Sequence, residues 1–494
     1  MTEEASPRPR GATPGVARGE FLNLFLAVFL PMFMAAVDQT LLATATPAIA
    51  ATLGGLRDTS WIAVGYLLAA ATIVPVYGRL GDLRGRRELL LVALVVFAIG
   101  SAACGAAQSL SQLVAARVLQ GLGGGGLMVL SQALIGELVP PRERPRFQGY
   151  FATVFMAASI GGPVLGGIVV SHVSWRWLFL ANLPLAVFAM WRISKLPRSA
   201  PHPEAGAPTD LPGIALFAVG AVSALFWFTS VGHRFAALSL ASAALVAAAA
   251  VSLTALVWHE RRSAAPFMPI DLLRDRTIRV TTIVVLLFAA CLFAIVFFLP
   301  IYLQLGHNVS AQYSGLLLLP VTGGMMIGAL SSAQVLRRTG RPRWIPAAGM
   351  ACSAIALLGL GVLPDHLSLV IALGLFCGVG FGCVMPTIQV TVQTVGGRER
   401  LGVVTALNGL ARATGGAAGA ALFGAVVFAM IPSADRGAVM QAAAAGQTGE
   451  IVNAFHRGFL LAAVVAGIAA YVATRMPNRA LWENEGTKLA TTGK

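Results

Sequence analysis

Of the 20 acidic residues in this 494-residue chain, Asp38 is the one that lies well inside a long apolar run, in Val37-Asp38-Gln39-Thr40. Desolvation pushes such a carboxyl toward its neutral form, and a nearby cation pushes it toward its charged form. A lone acid poised between the two can carry a proton or attract a cationic ligand. A structural acid, hydrogen-bonded to a neighbouring segment, is the competing reading. Arg117 lies in a second apolar run, LVAARVLQGLGGGG from Leu113 to Gly126. A cation there is costly unless paired or hydrated, and Gln120 lies one helical turn further along the same face. Snorkelling toward the outer end of the run is the alternative for Arg117.

Two further stretches could do mechanical work. Residues 78–87 read GRLGDLRGRR. Gly78 and Gly85 permit a tight turn. Asp82 can accept hydrogen bonds from the start of a neighbouring helix and pair with an arginine such as Arg84 or Arg86. This set would latch two parts of the molecule together in one state and release them in another. A plain basic anchor would need the arginines but neither Asp82 nor the glycines. Residues 161–167 read GGPVLGG. Gly162, Gly166 and Gly167 allow close helix packing, and Pro163 removes a backbone donor and bends a helix. No metal or nucleophilic chemistry accompanies these residues. The seven histidines are scattered, and the five cysteines sit in or beside apolar runs with no CxxC pair. The chain is therefore not read as an enzyme, and no cofactor or metal is expected.

The elements that position these residues are set by composition. The chain is 57% apolar and 11% charged, against about 25% charged in an ordinary globular domain. A soluble protein of this length could not cover its surface, so its solvent is mostly lipid. Fourteen runs are long enough to cross a bilayer as helices: 21–46, 61–78, 88–107, 113–135, 147–170, 175–194, 211–232, 235–258, 280–303, 313–336, 344–363, 366–390, 402–431 and 455–475. Alternation of the kind a β-barrel requires is absent. The first run is too long for a signal peptide and contains Asp38, so it is read as a retained span. With the N-terminus cytoplasmic, 28 of the 35 basic residues fall in cytoplasmic segments and 5 on the other side. That asymmetry puts both termini in the cytoplasm. It also removes the nucleic-acid reading of the +15 net charge, because the cations lie in short loops rather than on one folded face.

The loops repeat. Arg142-Glu143-Arg144 recurs as Arg398-Glu399-Arg400, and Leu83-Arg84-Gly85-Arg86 as Arg338-Thr339-Gly340-Arg341, at offsets of 256 and 255 residues. Spans one to six and nine to fourteen therefore read as parallel copies, the architecture of an alternating-access transporter. The expected organisation is an N-terminal tail (1–20), a six-helix bundle (21–194), a linker with two inserted helices (195–279), a second six-helix bundle (280–475) and a C-terminal tail (476–494).

Taken in order along the chain, these residues resemble the major facilitator superfamily, and within it the fourteen-helix drug:proton antiporter branch. Residues 78–87 are similar to the family's G-x-L-x-D-R-x-G-R-R/K loop, with Leu83 where a basic residue is usual. Residues 117–123 resemble its R-x-x-Q-G-x-G motif, and 162–167 its G-P-x-x-G-G antiporter motif. Asp38 to Pro47 resembles the branch's L-D-x-T signature without its asparagine. The resemblance implies a major facilitator fold and a monomeric multi-pass protein of a bacterial cell membrane. It implies proton-driven export of small lipophilic or amphiphilic molecules by rocker-type alternating access, with Asp38 and Arg117 handling the proton. An exporter of one endogenous metabolite or lipid, a nutrient importer, or a membrane enzyme or channel are the rivals. Gln39, Gln120, Tyr302, Gln304, Met325, Met385 and Gln389 are candidates to line the cavity, with ordinary helix packing the competing reading. The repeat counterpart of Asp38 is the apolar Phe293, which favours neutral, monocationic or amphiphilic substrates over dications.

Overall fold

The computed structural model describes residues 18–54, 59–198, 209–231, 235–236, 238–263, 266–268, 270–307, 309–364, 366–430, 449–477 and 480–482. Within them the regular structure is helical, as it must be for backbone surrounded by lipid, where each N–H and C=O has to be satisfied inside its own segment. The first half comprises α1 (Arg18–Leu53), α2 (Ser60–Arg84), α3 (Arg86–Ala106), α4 (Leu110–Leu138), α5 (Arg144–His172), α6 (Arg176–Leu180) and α7 (Asn182–Ser194). Two helices follow, α8 (Leu211–Ser230) and α9 (Leu240–Glu260). The second half comprises α10 (Arg276–His307), α11 (Ala311–Leu316), α12 (Leu319–Thr339), α13 (Trp344–Val362), α14 (Leu367–Gly382), α15 (Val384–Gly396), α16 (Leu401–Ala429) and α17 (Gly449–Thr474).

Thirteen spans among the described residues are long and apolar enough to cross a membrane. The remaining expected span, 147–170, lies within the 29-residue α5. Three expected spans are interrupted rather than straight, and a proline stands just after each break. Pro184 and Pro386 lack the N–H that would bond the carbonyls of Leu180 and Gly382, where α6 gives way to α7 and α14 to α15. Pro320 opens the first turn of α12, a position where the missing donor costs nothing.

Each half has its own apolar core. In the first, Phe29, Phe97, Phe147 and Leu130 are buried together. In the second, Phe288, Phe381, Phe423, Phe455 and Phe459 do the same. The halves meet chiefly through α2 against α16 and α5 against α12. Glycine permits the first approach: a Cβ on Gly402 would sit 2.1 Å from the Gly78 carbonyl oxygen, and one on Gly78 would sit 2.6 Å from that of Gly402. The α8–α9 pair packs on both sides of this seam. Phe217, Leu256 and Phe267 are buried with Val76 of α2 and Leu410 of α16 against them.

Candidate functional site

Asp38 and Arg117 meet in the interior of the first bundle. The Asp38 side chain of α1 is 3% exposed and that of Arg117 on α4 is 1% exposed. The Arg117 guanidinium donates to Asp38 Oδ2 at 2.5 Å, to Gln120 Oε1 at 2.7 Å and to the Ile62 carbonyl at 3.1 Å. It also lies 4.3 Å from the Tyr66 ring centroid. Gln120 closes the circuit by donating from Nε2 to Asp38 Oδ1 at 2.9 Å and to Ser101 Oγ at 2.8 Å. Both carboxylate oxygens are thereby engaged. A buried ion pair survives its desolvation only with such supporting bonds. Arg117 does not snorkel: its charge is neutralised in place by Asp38.

Thr40, two residues after Asp38, ties this network to α5. Its hydroxyl lies 3.0 Å from both the Val37 and the Ala158 carbonyls, and a Cβ on Gly162 would collide with its Oγ1 at 2.1 Å. Gly162 therefore serves the close approach of α1 to α5. Gly166 is buried, whereas an added Cβ at Gly161 or Gly167 would meet nothing within 4 Å. The α5 backbone remains helical through position 163, and the side chain of Pro163 lies outside the described residues.

The second site is at the end of the bundles that carries the arginine-rich loops. The Asp82 carboxylate accepts from the Gly402 N–H at 2.7 Å and the Val403 N–H at 2.9 Å. It is paired with Arg86 at 2.5 Å. Arg86 also bonds Glu137 at 2.8 Å and the Arg398 carbonyl at 2.8 Å. Gly402 and Val403 are the second and third residues of α16, whose first N–H groups have no partner within the helix. Asp82 thus caps α16 across the seam. Gly85 stands at φ 100° between α2 and α3, a conformation that suits glycine. Arg84 points elsewhere and donates to Thr209 Oγ1 at 3.1 Å. Gln393 adds a further tie between the halves, from Nε2 to the Gln132 carbonyl at 2.9 Å.

The other candidates do not converge on one cavity in this arrangement. Gln39 is exposed. Tyr302 is buried among Phe455 and Phe459, with its hydroxyl 3.3 Å from His456 Nε2. Gln304 donates to Ser314 Oγ at 2.9 Å. Met325 and Met385 are half-buried against the second core. Gln389 donates to Thr405 Oγ1 at 3.0 Å and accepts from Asn408 at 3.3 Å. The sequence reading missed Glu137, Ser101, Thr40, Gln393 and Asn408. For Glu137 the available signal was an acid at the end of an apolar run, facing a basic loop; for Gln393 it was an amide one turn after Gln389 on the same face.

Among the described residues no cluster of three or more His, Cys, Asp or Glu could hold a metal. A groove of about 470 Å³ at the basic end is lined by Asp271, Asp275, Arg398, Glu399 and Arg400.

Residues 28–420 match the Major Facilitator Superfamily. The chain is 33% identical over 409 residues to the multidrug transporter protein MdtP of Bacillus subtilis, covering 82% of this chain and 75% of that one. It is 32% identical over 433 residues to the tetracenomycin C resistance and export protein of Streptomyces glaucescens, covering 86% and 80%. Against longer relatives from Mycobacterium tuberculosis it spans only 59% of their length. Among solved structures, the human organic anion transporter MFSD10 superposes with a TM-score of 0.65 at 16% identity, over 92% of this chain and 99% of that one.

Proposed function

Since this chain belongs to the Major Facilitator Superfamily and is thus a multi-pass membrane transporter rather than an enzyme, we propose that it exports small lipophilic or amphiphilic compounds in exchange for protons. The observation that carries this reading is the Asp38–Arg117–Gln120 network. It places one titratable acid at membrane depth and gives it a single cationic partner. A proton on Asp38 cancels the carboxylate charge and leaves the Arg117 guanidinium without its counter-ion. The pair must then rearrange, and through Thr40 and Gly162 the movement passes from α1 to α5. The direction is supported by the resemblance of residues 162–167 to the antiporter motif and by relatives named for drug resistance and export.

Alternating access gives the second site its role. The two moving bodies are residues 21–194 and 280–475. The basic loops support a cytoplasmic position for both termini in a bacterial cell membrane, so the Asp82 clasp closes the cytoplasmic side. The tie at Gln393 lies at that same end. Nearby, α5 meets α12 where a Cβ on Gly149 would lie 3.1 Å from Leu330. Further out, a Cβ at Gly161 or Gly167 on α5, Gly315 on α11 or Gly323 on α12 would meet nothing within 4 Å. Closure at the basic end beside this looser packing supports reading the arrangement as outward-facing. In the cycle, a proton from outside neutralises Asp38 and displaces the substrate outward; loss of that proton to the cytoplasm resets the site. The proton gradient drives the cycle with no cofactor, and a single copy of the chain suffices.

Inverted vesicles containing the chain, energised inside-acid, test this. Several lipophilic dyes should accumulate, and their accumulation should collapse with the gradient. Accumulation that persists after the gradient is dissipated would contradict the reading, as would accumulation of none of them by correctly inserted protein.

A further inference from the structure

We infer that Arg412 is the anion-recognising group of the substrate cavity, so that the compounds carried include amphiphiles bearing a carboxylate or phenolate. The inference rests on the exporter reading above and names a substrate class for it. The starting point is the treatment of buried arginines in this chain. Arg117 is saturated by Asp38, Gln120 and the Ile62 carbonyl. Arg86 is saturated by Asp82, Glu137 and the Arg398 carbonyl. Arg144 donates to the carbonyls of Val139 and Gly136 at 3.0 and 2.5 Å. Arg412 lies in the middle of α16, yet its guanidinium has no hydrogen-bond, ion-pair or ring partner among the described residues, although it is half-buried in the interior.

The neighbours of α16 show where Arg412 points. One turn toward the basic end, Gly409 faces Val74 of α2, and Asn408 bonds Gln389 of α15. One turn the other way, Gly415 and Gly416 seat against Leu286 and Phe293 of α10. Helical spacing therefore directs Arg412 toward the seam between α2 of the first bundle and α10 and α15 of the second. A cation at that depth is costly without a counter-charge. Asp38 is already matched by Arg117, so the charge balance at membrane depth is one positive charge in excess. That excess disfavours cationic cargo and leaves a place for an anion. Asn408, four residues earlier on the same face, is buried and its Oδ1 is unpartnered. The pair thus offers a cation for an acidic group and an acceptor for a neighbouring hydroxyl or N–H, near the Phe293 ring that packs on Gly416.

The test uses the full-length chain in lipid nanodiscs and proteoliposomes with two matched probes, a 7-alkoxycoumarin-3-carboxylate and its methyl ester. The wild type should bind the carboxylate at least roughly tenfold more tightly than the ester, the scale of one charge-assisted hydrogen bond. Arg412→Gln should erase that preference while leaving ester binding within about twofold, and Arg412→Lys should retain part of it. Equal binding of both probes by the wild type would overturn the inference, a result that needs no variant to fold. So would an Arg412→Gln protein that keeps the preference or weakens both probes alike. Gradient-driven transport of the ester without any carboxylate preference would sink the anion site and leave the exporter reading intact. Arg412-dependent binding of the carboxylate, with no transport of either probe, would do the reverse.

Discussion

Deleting the Asp38 carboxylate leaves the Arg117 guanidinium buried at 1% exposure with Gln120, the Ile62 carbonyl and the Tyr66 ring as its remaining support. Breaking one side of a buried pair in this way costs about 3–5 kcal/mol, so Asp38→Ala should lower the thermal stability of the purified protein sharply. Asp38→Asn keeps the shape and one acceptor. It should fold, bind substrate and fail to couple. Arg117→Lys should fall between the two, because an ammonium cannot reach Asp38, Gln120 and the Ile62 carbonyl together. Melting curves of the three variants, read against transport, check this ordering. Equal stability of Asp38→Ala and wild type would show that the pair contributes little. The sequence marked Asp38 and Arg117 separately. It did not mark them as partners, because 79 residues separate them and only the packing of α1 on α4 joins them. Tyr302 and Gln389 are among the residues expected to line the cavity. Residue type alone does not tell a cavity wall from a packed interior, and both side chains are satisfied inside the second bundle.

At the level of elements, the clasp is a helix cap made across the seam between the bundles. The first N–H groups of α16 need an acceptor, and Asp82 supplies one from α2 while Arg86 holds the carboxylate in place. Asp82→Asn weakens charge-assisted bonds that contribute about 1.5–3 kcal/mol each. It should therefore shift the population toward an inward-open state by tenfold or so. Spin labels at the basic ends of α4 and α15 should report a longer distance in the variant; an unchanged distribution would mean that Asp82 does not hold the seam. Gly402→Ala should act the same way for a steric reason, since its Cβ would lie 2.1 Å from the Gly78 oxygen and 2.8 Å from Asp82 Oδ1. The loop chemistry of residues 78–87 was legible, because a glycine-flanked acid among arginines has few other uses. The identity of its partner helix was not, because the Gly402 and Val403 N–H groups carry no side-chain signature.

At the scale of the molecule, the repeat of about 255 residues holds for architecture and fails for chemistry. Asp38 has Phe293 as its counterpart, packed against Gly416, and the loop around Gly340 contains no acid. One bundle carries the proposed proton site and the other carries Arg412, which has no partner among the described residues, a division visible only once both charges are placed among their neighbours. Fourteen apolar runs and their basic loops were readable because the bilayer imposes length and charge so strictly. The breaks at Pro184 and Pro386 were not, because runs of that hydropathy read as continuous.

The linker pair adds a surface prediction. Asp210, at the head of α8, accepts from the Gly213 and Phe267 N–H groups and meets His259 Nε2 at 2.8 Å. Burial opposes its ionisation, but the Gly213 N–H, the His259 ring and the Phe267 N–H together hold its carboxyl below the usual range. A depressed carboxyl stabilises the fold above its unfolded value of about 3.9 and loses that contribution as pH falls through the lower folded value. The stability gap between wild type and Asp210→Asn should therefore be present at neutral pH and close below about pH 4. A gap that does not change with pH would assign the effect to packing.

If Asp38 exchanges its proton for substrate, proton and substrate must compete, and the pH dependence of binding shows it. Purified protein is titrated with a transported compound that does not itself ionise, at a series of pH values from neutral downward. Wild-type affinity should fall as the pH drops, because a proton on Asp38 breaks its pairing with Arg117 and expels the substrate, whereas the affinity of Asp38→Asn should not change with pH. The same pH dependence in both proteins would place the coupling proton elsewhere and contradict the account.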